Sequence, residues 1–267
     1  MDNSMHPADR LGSLGYQGRT IHGIDVIIPP MCDVPAGEFL MGSDPARDKV
    51  ANERELPQHR LNLSAFQIAK FPLTVAEYAC FVRSGHPEPK GIYDTSLTWQ
   101  RQLEVRLDHP VAVVSWHDVR AYAAWLSQLT QQHWRLPTEV EWEKAARGTD
   151  GRIYPWGDTF DASRCNTSEG GTRPTTPVGN YPSGASPYGA QDMAGNVYEW
   201  TSSLLVPYPY TPNDGREDAN RVGSRVLRGG SWRVDYKLAR SACRGFSPPK
   251  DPDGIHGVRL VRKVQIA

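Results

Sequence analysis

The run from Gly151 to Gly189, GRIYPWGDTFDASRCNTSEGGTRPTTPVGNYPSGASPYG, constrains the fold of this chain more than any other feature. It is almost free of helix formers and dense in turn residues, so it reads as a long loop. A loop of that length inside a compact domain must be pinned by something other than regular structure. The same punctuation recurs along the chain, where 24 glycines and 22 prolines cut the sequence into short pieces and leave room for few long helices.

Three helix starts are nevertheless legible from their caps. Thr74-Val75-Ala76-Glu77 has the capping-box form ahead of Tyr78, Phe81 and Val82, which predicts a helix from about Val75 to Ser84. Ser115-Trp116-His117-Asp118 repeats it, with Val119, Tyr122, Ala123 and Leu126 spaced along one helical face. Thr138-Glu139-Val140-Glu141 is a third, stopped at Gly148. PAGEFLMGSD reads as a strand entering a turn, and HRLNLSAFQIAKFPLT carries Leu61, Leu63 and Phe66 at strand period, so the two segments are expected to pair antiparallel. Gly229-Gly230-Ser231-Trp232 is expected to be a strand of the core sheet, its glycines allowing close backbone approach and Trp232 serving as a buried anchor.

A chain of 267 residues, 39% hydrophobic, can bury the core of one large domain. The expected division is an N-terminal extension over residues 1–30 and a single domain over 31–267. Lys plus Arg equals Asp plus Glu at 30 each, so no overall positive field gathers nucleic acid or an anionic membrane. The first twenty residues lack the apolar core of a signal peptide or membrane helix, so a soluble, cytoplasmic protein is expected. Cys32, Cys80, Cys165 and Cys243 form no C-x-x-C pair and read as buried thiols. The eight histidines show no H-x-x-x-H pattern; His109 and His117 read as structural.

Two oxygen-rich stretches could hold a hard cation. In the long loop, Asn166, Thr167 and Glu169 could act with backbone carbonyls, because calcium accepts six to eight oxygens in irregular geometry. In DMAGNVYEW, Asp192 and Glu199 bracket a turn at Gly195 that can aim carbonyls inward. Alternatively, this turn only leads into a strand.

PAGEFLMGSD, HPVAVVSWHDVRAYAAWL, RLPTEVEWEKAARG, YPWGD, DMAGNVYEWTSS, RVLRGGSW and GVRLVRK occur in the order seen in the formylglycine-generating enzyme, or sulfatase-modifying factor, family, which this chain resembles from about Val34 to Lys263. The resemblance implies an α+β fold, a variant of the C-type lectin fold with long loops and bound calcium. It places the stronger calcium site on Asp192, Gly195, Val197 and Glu199, the middle two through carbonyl oxygens, and the other on Asn166 and Thr167, with Glu169 as a substitute for a missing acidic ligand. Generating enzymes carry two copper(I)-binding cysteines after the GGS-aromatic motif. Here RVDYKL puts Val234 at the first of those places, so the resemblance does not extend to the copper pair. Cys243 lies out of register, and could act as a nucleophile only if Arg240 or Arg244 lowered its pKa.

Relatives without the pair are varied. Sulfoxide synthases place a helical iron-binding module before this domain, and the segment ahead of residue 31 is too short for it. Pyoverdine-maturation proteins are exported, and no export signal is read here. The variable proteins of diversity-generating retroelements use the fold to display side chains. That layout matches three runs between RGGSW, ARSA and GVRLV: Arg233, Val234, Asp235 and Tyr236; Gly245, Phe246 and Ser247; and Asp253, Gly254, Ile255 and His256. The expectation is a non-catalytic domain that binds a protein or small-molecule ligand at this C-terminal loop surface. The alternative is an oxidoreductase of the same family with a non-standard site.

Overall fold

The computed structural model describes residues 6–91, 97–171 and 174–263. It opens with helix α1 (Pro7–Ser13) and the antiparallel hairpin β1 (Gln17–Ile21) and β2 (Ile24–Ile28). These elements pack onto the body of the protein. Leu11 and Tyr16 are buried with Phe71 and Val178, and Val26 enters the largest core cluster. The segment before residue 31 is thus an extension in sequence that shares the domain's core.

Strands β3 (Met31–Val34), β4 (Gly37–Met41), β5 (His59–Leu63) and β6 (Phe66–Ala69) follow. β4 and β5 form the expected antiparallel pair, with Gly37 opposite Leu63 and Met41 opposite His59. The strand-period pattern from Leu61 to Phe66, however, spans two strands in different sheets. β6 joins a four-stranded sheet ordered β3-β6-β12-β7, with β7 at Trp134–Arg135 and β12 at Val261–Lys263.

The helices are α2 (Val75–Arg83), α3 (Trp99–Val105), α4 (Trp116–Thr130) and α5 (Glu139–Arg147). All three capping boxes close in both directions: Thr74 with Glu77, Ser115 with Asp118, and Thr138 with Glu141. Each satisfies amides that the first turn would leave orphaned, which is why these helices begin where the sequence says. Their apolar faces meet in an aromatic core in which Tyr78 contacts Phe81, Trp99 and Tyr122 at centroid distances of 5.3 to 5.7 Å. Burying each such ring contributes about 2–3 kcal/mol.

The central sheet is ordered β10-β9-β8-β11, built from β8 (Tyr198–Leu204), β9 (Arg225–Arg228), β10 (Gly245–Ser247) and β11 (His256–Gly257). Here the structure corrects one expectation. β9 ends at Arg228, and the GGSW segment leaves the sheet, with Gly229 at φ 90° and Gly230 at φ 72°. A left-handed backbone cannot continue a ladder, and a Cβ at Gly230 would stand 2.9 Å from the Leu238 carbonyl oxygen. Trp232 is buried with Leu97 and Val113, as an anchor should be.

The long loop is pinned by side chains. Arg147 of α5 donates to the carbonyls of Gly151 and Arg152, and Asn196 accepts from the Thr176 amide and donates to its carbonyl. Asn166 and Gly195 form an isolated bridge that ties this loop to the turn before β8. Among the described residues no helix is long and apolar enough to cross a membrane.

Candidate functional site

The turn forced by Gly229 and Gly230 aims the first of the three runs toward the long loop. The Val234 carbonyl accepts the Ser168 amide at 3.0 Å, and the Glu169 carboxylate accepts the Tyr236 amide at 2.9 Å. Tyr236 also packs beside Phe160, with centroids 5.3 Å apart. Glu169 is therefore committed to the first run. Hydrogen bonds, the Tyr236 amide foremost among the backbone ones, hold its carboxyl below the usual range against the opposing effect of burial.

Arg233 reaches the third run, its Nη1 lying 3.6 Å from Asp253 Oδ1. That separation is long for an ion pair and leaves Asp253 Oδ1 buried without a hydrogen-bond donor among the described residues. Val234 is half-buried against the main core, and Ile255 packs against both that core and the cluster around Trp232. Asp235 caps the turn by accepting the Lys237 amide at 3.0 Å. Arg233, Val234, Asp235 and Tyr236 are thus a partly exposed stretch, which Arg233 joins to Asp253 of the third run, where Ile255 is also partly exposed.

The other members of the runs are placed differently. His256 is buried, its ring 5.0 Å from that of Trp200, and burial lowers its pKa, so it is neutral at pH 7. Ser247 is buried and donates to Asp251 at 2.5 Å. Phe246, its neighbour on β10, faces the opposite way and is exposed beneath the Arg54 guanidinium at 4.8 Å. A Cβ on Gly245 would meet Tyr198 at 3.1 Å and Leu227 at 3.3 Å, so this glycine answers to sheet packing. The strand alternation that separates Phe246 from Ser247 was readable in the sequence only once β10 was known to be a strand.

Cys243 has the wrong surroundings for a nucleophile. It is 2% exposed, and burial, with Glu55 beside it, pushes its pKa up to about 12 against the opposing pull of Arg240 and Arg228. The two arginines flanking it in sequence are spent on acids: Arg240 on Asp48 and Glu55, Arg244 on Glu139. Cys32, Cys80 and Cys165 are likewise free and buried.

The carboxylates of the expected calcium site differ sharply. Asp192 lies at φ 56°, accepts the Gly179 amide at 2.9 Å, and is pushed up to about 6 by burial. Glu199 is already neutralised. Its Oε2 accepts from Trp142 Nε1 at 2.6 Å and Arg259 Nε at 2.7 Å, and its Oε1 from Arg259 Nη2 at 2.7 Å. Arg259 spends its remaining donors on the carbonyls of Ala69, Lys70 and Gln191.

At the second expected site, Asn166 Oδ1 is a buried oxygen without a partner among the described residues, as is Thr176 Oγ1, the side-chain oxygen of the residue bonded to Asn196. Thr167 is buried beside Cys165. No cluster of three or more His, Cys, Asp or Glu side chains is poised for a metal among the described residues, so an ion here would rest mainly on amide and carbonyl oxygens. That donor chemistry fits calcium at Asp192 and at Asn166. It fits poorly at Glu199, whose charge Arg259 already matches.

The α+β fold, the pinned long loop and the turn after β9 together define a scaffold of the C-type-lectin-like class. The chain belongs to the family of the sulfatase-modifying factor enzyme 1-like domain, whose model matches residues 25–264. It is 33% identical to a hercynine oxygenase of Mycolicibacterium smegmatis over 85% of this chain, and spans 60% of that protein's length. It is 32% identical to a formylglycine-generating enzyme of Streptomyces coelicolor, covering 87% of this chain and 89% of that one. Among solved structures, PvdO from Pseudomonas aeruginosa superposes with a TM-score of 0.71 at 26% identity, covering 88% of this chain and 95% of that one. Treponema denticola variable protein 1 gives the same TM-score at 20% identity over 93% of this chain and 99% of its own, a likeness of fold.

Proposed function

We propose that this domain binds a protein or small-molecule ligand on the surface formed by Arg233, Asp235, Tyr236, Asp253 and Ile255, without redox chemistry at the place where generating enzymes keep their thiols. The observation that carries the reading is Asp253 Oδ1, a buried acceptor with no hydrogen-bond donor among the described residues, 3.6 Å from the half-exposed Arg233 at the start of the run that ends at Tyr236. A buried unsatisfied acceptor costs free energy until a partner arrives, and arginine and tyrosine are the residue types enriched in the energetic centres of interfaces. Val234 supports the non-catalytic half of the reading, since its side chain offers no electron pair to copper(I).

The test has two arms. Protein supplied with copper(I), oxygen and a sulfatase-type cysteine peptide is expected to yield no formylglycine by mass spectrometry. A labelled peptide and small-molecule library screened on the immobilised protein is expected to return ligands whose affinity falls at least about fivefold in Tyr236→Ala and in Asp253→Asn, the equivalent of about 1 kcal/mol. Hits indifferent to both changes would move the surface elsewhere. Oxidised peptide that disappears in Cys243→Ser would replace this reading with the second one, an oxidoreductase, which draws on the likeness to the hercynine oxygenase.

We further propose that calcium braces the loops, held by Asp192, the carbonyls of Gly195 and Val197, and a second group around Asn166 and Thr167. Glu199 buttresses this turn through Arg259. An ion that binds only the folded state stabilises it by mass action, so excess chelator should lower the melting temperature by about 5–10 °C. Asp192→Asn should remove most of that sensitivity. An unchanged melting curve in chelator, with no calcium in elemental analysis of the purified protein, would reject the ion.

A further inference from the structure

Arginines buried in this protein direct their donors inward, as Arg259 does to Glu199, Arg240 to Glu55 and Arg225 to the carbonyls of Ser202, Asp218, Ala219 and Arg221. Arg19 and Arg262 differ. Arg19 is exposed and Arg262 half-buried, and neither forms an ion pair among the described residues. Both line one pocket of about 470 Å³, with Gln17, Gln67, Thr130 and Gln132 and without an acidic side chain among its described lining.

Two walls make this pocket. Gln17, Arg19 and Ile21 alternate along β1 and so share one face of the hairpin. Val26, directly opposite Arg19 on β2, belongs to that same face and enters the main core, so β2 seats the face on the body and β1 carries it over the gap that remains. The other wall is the sheet β3-β6-β12-β7. Arg262 pairs with Gln67 across β12 and β6, and Gln67 with Asp33 across β6 and β3, so the three side chains stand in a row on one face. Gln67 Nε2 donates to Asp33 Oδ1 at 2.8 Å, Arg262 Nε donates to Gln67 Oε1 at 2.7 Å, and Arg262 Nη1 donates to Gln132 Oε1.

Amide oxygens hold a guanidinium in place much as a carboxylate would, but they do not cancel its charge. Arg262 is fixed by two glutamines, and Asp33 is linked to it only through Gln67. Burial lowers the Arg262 pKa against the opposing effect of Asp33, as befits a cation whose charge is under-matched. Arg19 is held in the same manner, by Gln17 Oε1 at 2.8 Å. Arg262 Nη2, Arg19 Nη1 and the side-chain nitrogens of Gln17 and Gln132 make no hydrogen bond among the described residues, so donors remain on both walls.

We propose that this pocket binds a phosphate dianion, free or as the ester group of a small molecule, between Arg19 and Arg262. A doubly charged tetrahedral group can match two cations from two walls, whereas a carboxylate carries one charge and suits one guanidinium fork. The volume is that of a small-molecule site. The pocket shares no residue with the surface around Tyr236 and Asp253, so each stands or falls without the other.

The experiment is an NMR titration of the full chain followed at the Trp134 indole N–H, which donates to Thr130 of the pocket lining and whose ring lies 5.1 Å from the Arg262 guanidinium. Inorganic phosphate, glycerol 3-phosphate and acetate are added in separate arms at about pH 7.5, where the phosphates are largely dianionic, at constant ionic strength and with chloride as the reference. The phosphates should shift the resonance saturably beyond the chloride response. A lower midpoint for the ester identifies a carried group, and an equal or higher one identifies the free ion. Acetate should need at least about tenfold more, and Arg19→Gln, a change at an exposed side chain, should raise the phosphate midpoint at least about tenfold. Arg60→Gln, at an exposed arginine of β5, should leave it where it is. A response no larger than that of chloride in both phosphate arms would overturn the proposal. So would acetate binding as tightly as phosphate, equal midpoints in wild type and Arg19→Gln, or an equal rise in Arg60→Gln.

Discussion

Replacing Glu199 by alanine is expected to lower stability by about 3–5 kcal/mol whether or not calcium is present. The carboxylate and its partner Arg259 are both fully buried and joined through two guanidinium nitrogens. Removing the acid leaves a guanidinium in the interior with three carbonyls and no counter-charge, and leaves the Trp142 indole N–H without its acceptor. Domains of this kind are stable by only about 5–15 kcal/mol, so the change uses a large part of the total. Urea unfolding of wild type and variant, each with and without chelator, separates the two roles that Glu199 could have. The loss should persist in chelator if it comes from Arg259. A loss that vanishes once wild-type calcium is stripped would return Glu199 to the ion.

Glu77→Gln is expected to do the opposite at alkaline pH. Glu77 closes the α2 capping box, its Oε2 accepting from the Thr74 amide and hydroxyl at 2.7 Å each, but it forms no ion pair with a cation among the described residues. Burial pushes its pKa up to about 8, despite the opposing hydrogen bonds from Thr74. The neighbouring hydroxyls of Tyr16 and Tyr122 have no partners among the described residues, and the pKa of each tyrosine is raised, first by burial and then by Glu77. Because the folded pKa lies above the unfolded one, this group's contribution to stability is complete below about pH 4.5 and is lost as pH rises through about 8. At about 1.36 kcal/mol per unit, the loss is on the order of 4–5 kcal/mol. Glutamine keeps an acceptor for Thr74 and carries no charge, so the variant should match wild type near pH 5 and exceed it at pH 9. Parallel stability curves for the two proteins across that range would show that Glu77 ionises at an ordinary pKa.

Much of the scaffold was readable from local chemistry. The boxes at Thr74, Ser115 and Thr138 announce their helices because a hydroxyl and a carboxylate three residues apart can satisfy each other's backbone amides without outside help. The β4–β5 pair was readable for a similar reason, since alternation places one face inward regardless of what covers it. The family, and with it the fold, followed from ordered motifs over nearly the whole chain. Misreadings arose where a short pattern had two local solutions. The run from Leu61 to Phe66 has one period and two strands, and GGSW has the composition of a strand but the dihedrals of a turn.

The site was less legible. The three C-terminal runs were found as intervals between motifs, which says nothing about which way each side chain faces. The structure joins Arg233 to Asp253 and Tyr236 to Glu169, and turns His256 and Ser247 inward. The charge balance of the interior was hidden for the same reason. Glu199 meets Arg259 across sixty positions of sequence, and Arg240 meets Glu55 across one hundred and eighty-five. By itself the sequence determined where the helices start, that the centre of the chain is a pinned loop, which family the domain belongs to, and that Val234 cannot bind copper through its side chain. Only the tertiary structure decided which acid the buried arginines hold, that Cys243 is sealed and protonated, and that Arg225 pairs with no acid among the described residues. Capping and alternation act over a few residues of backbone, whereas the pairing of buried charges depends on distances that exist only once the chain has folded.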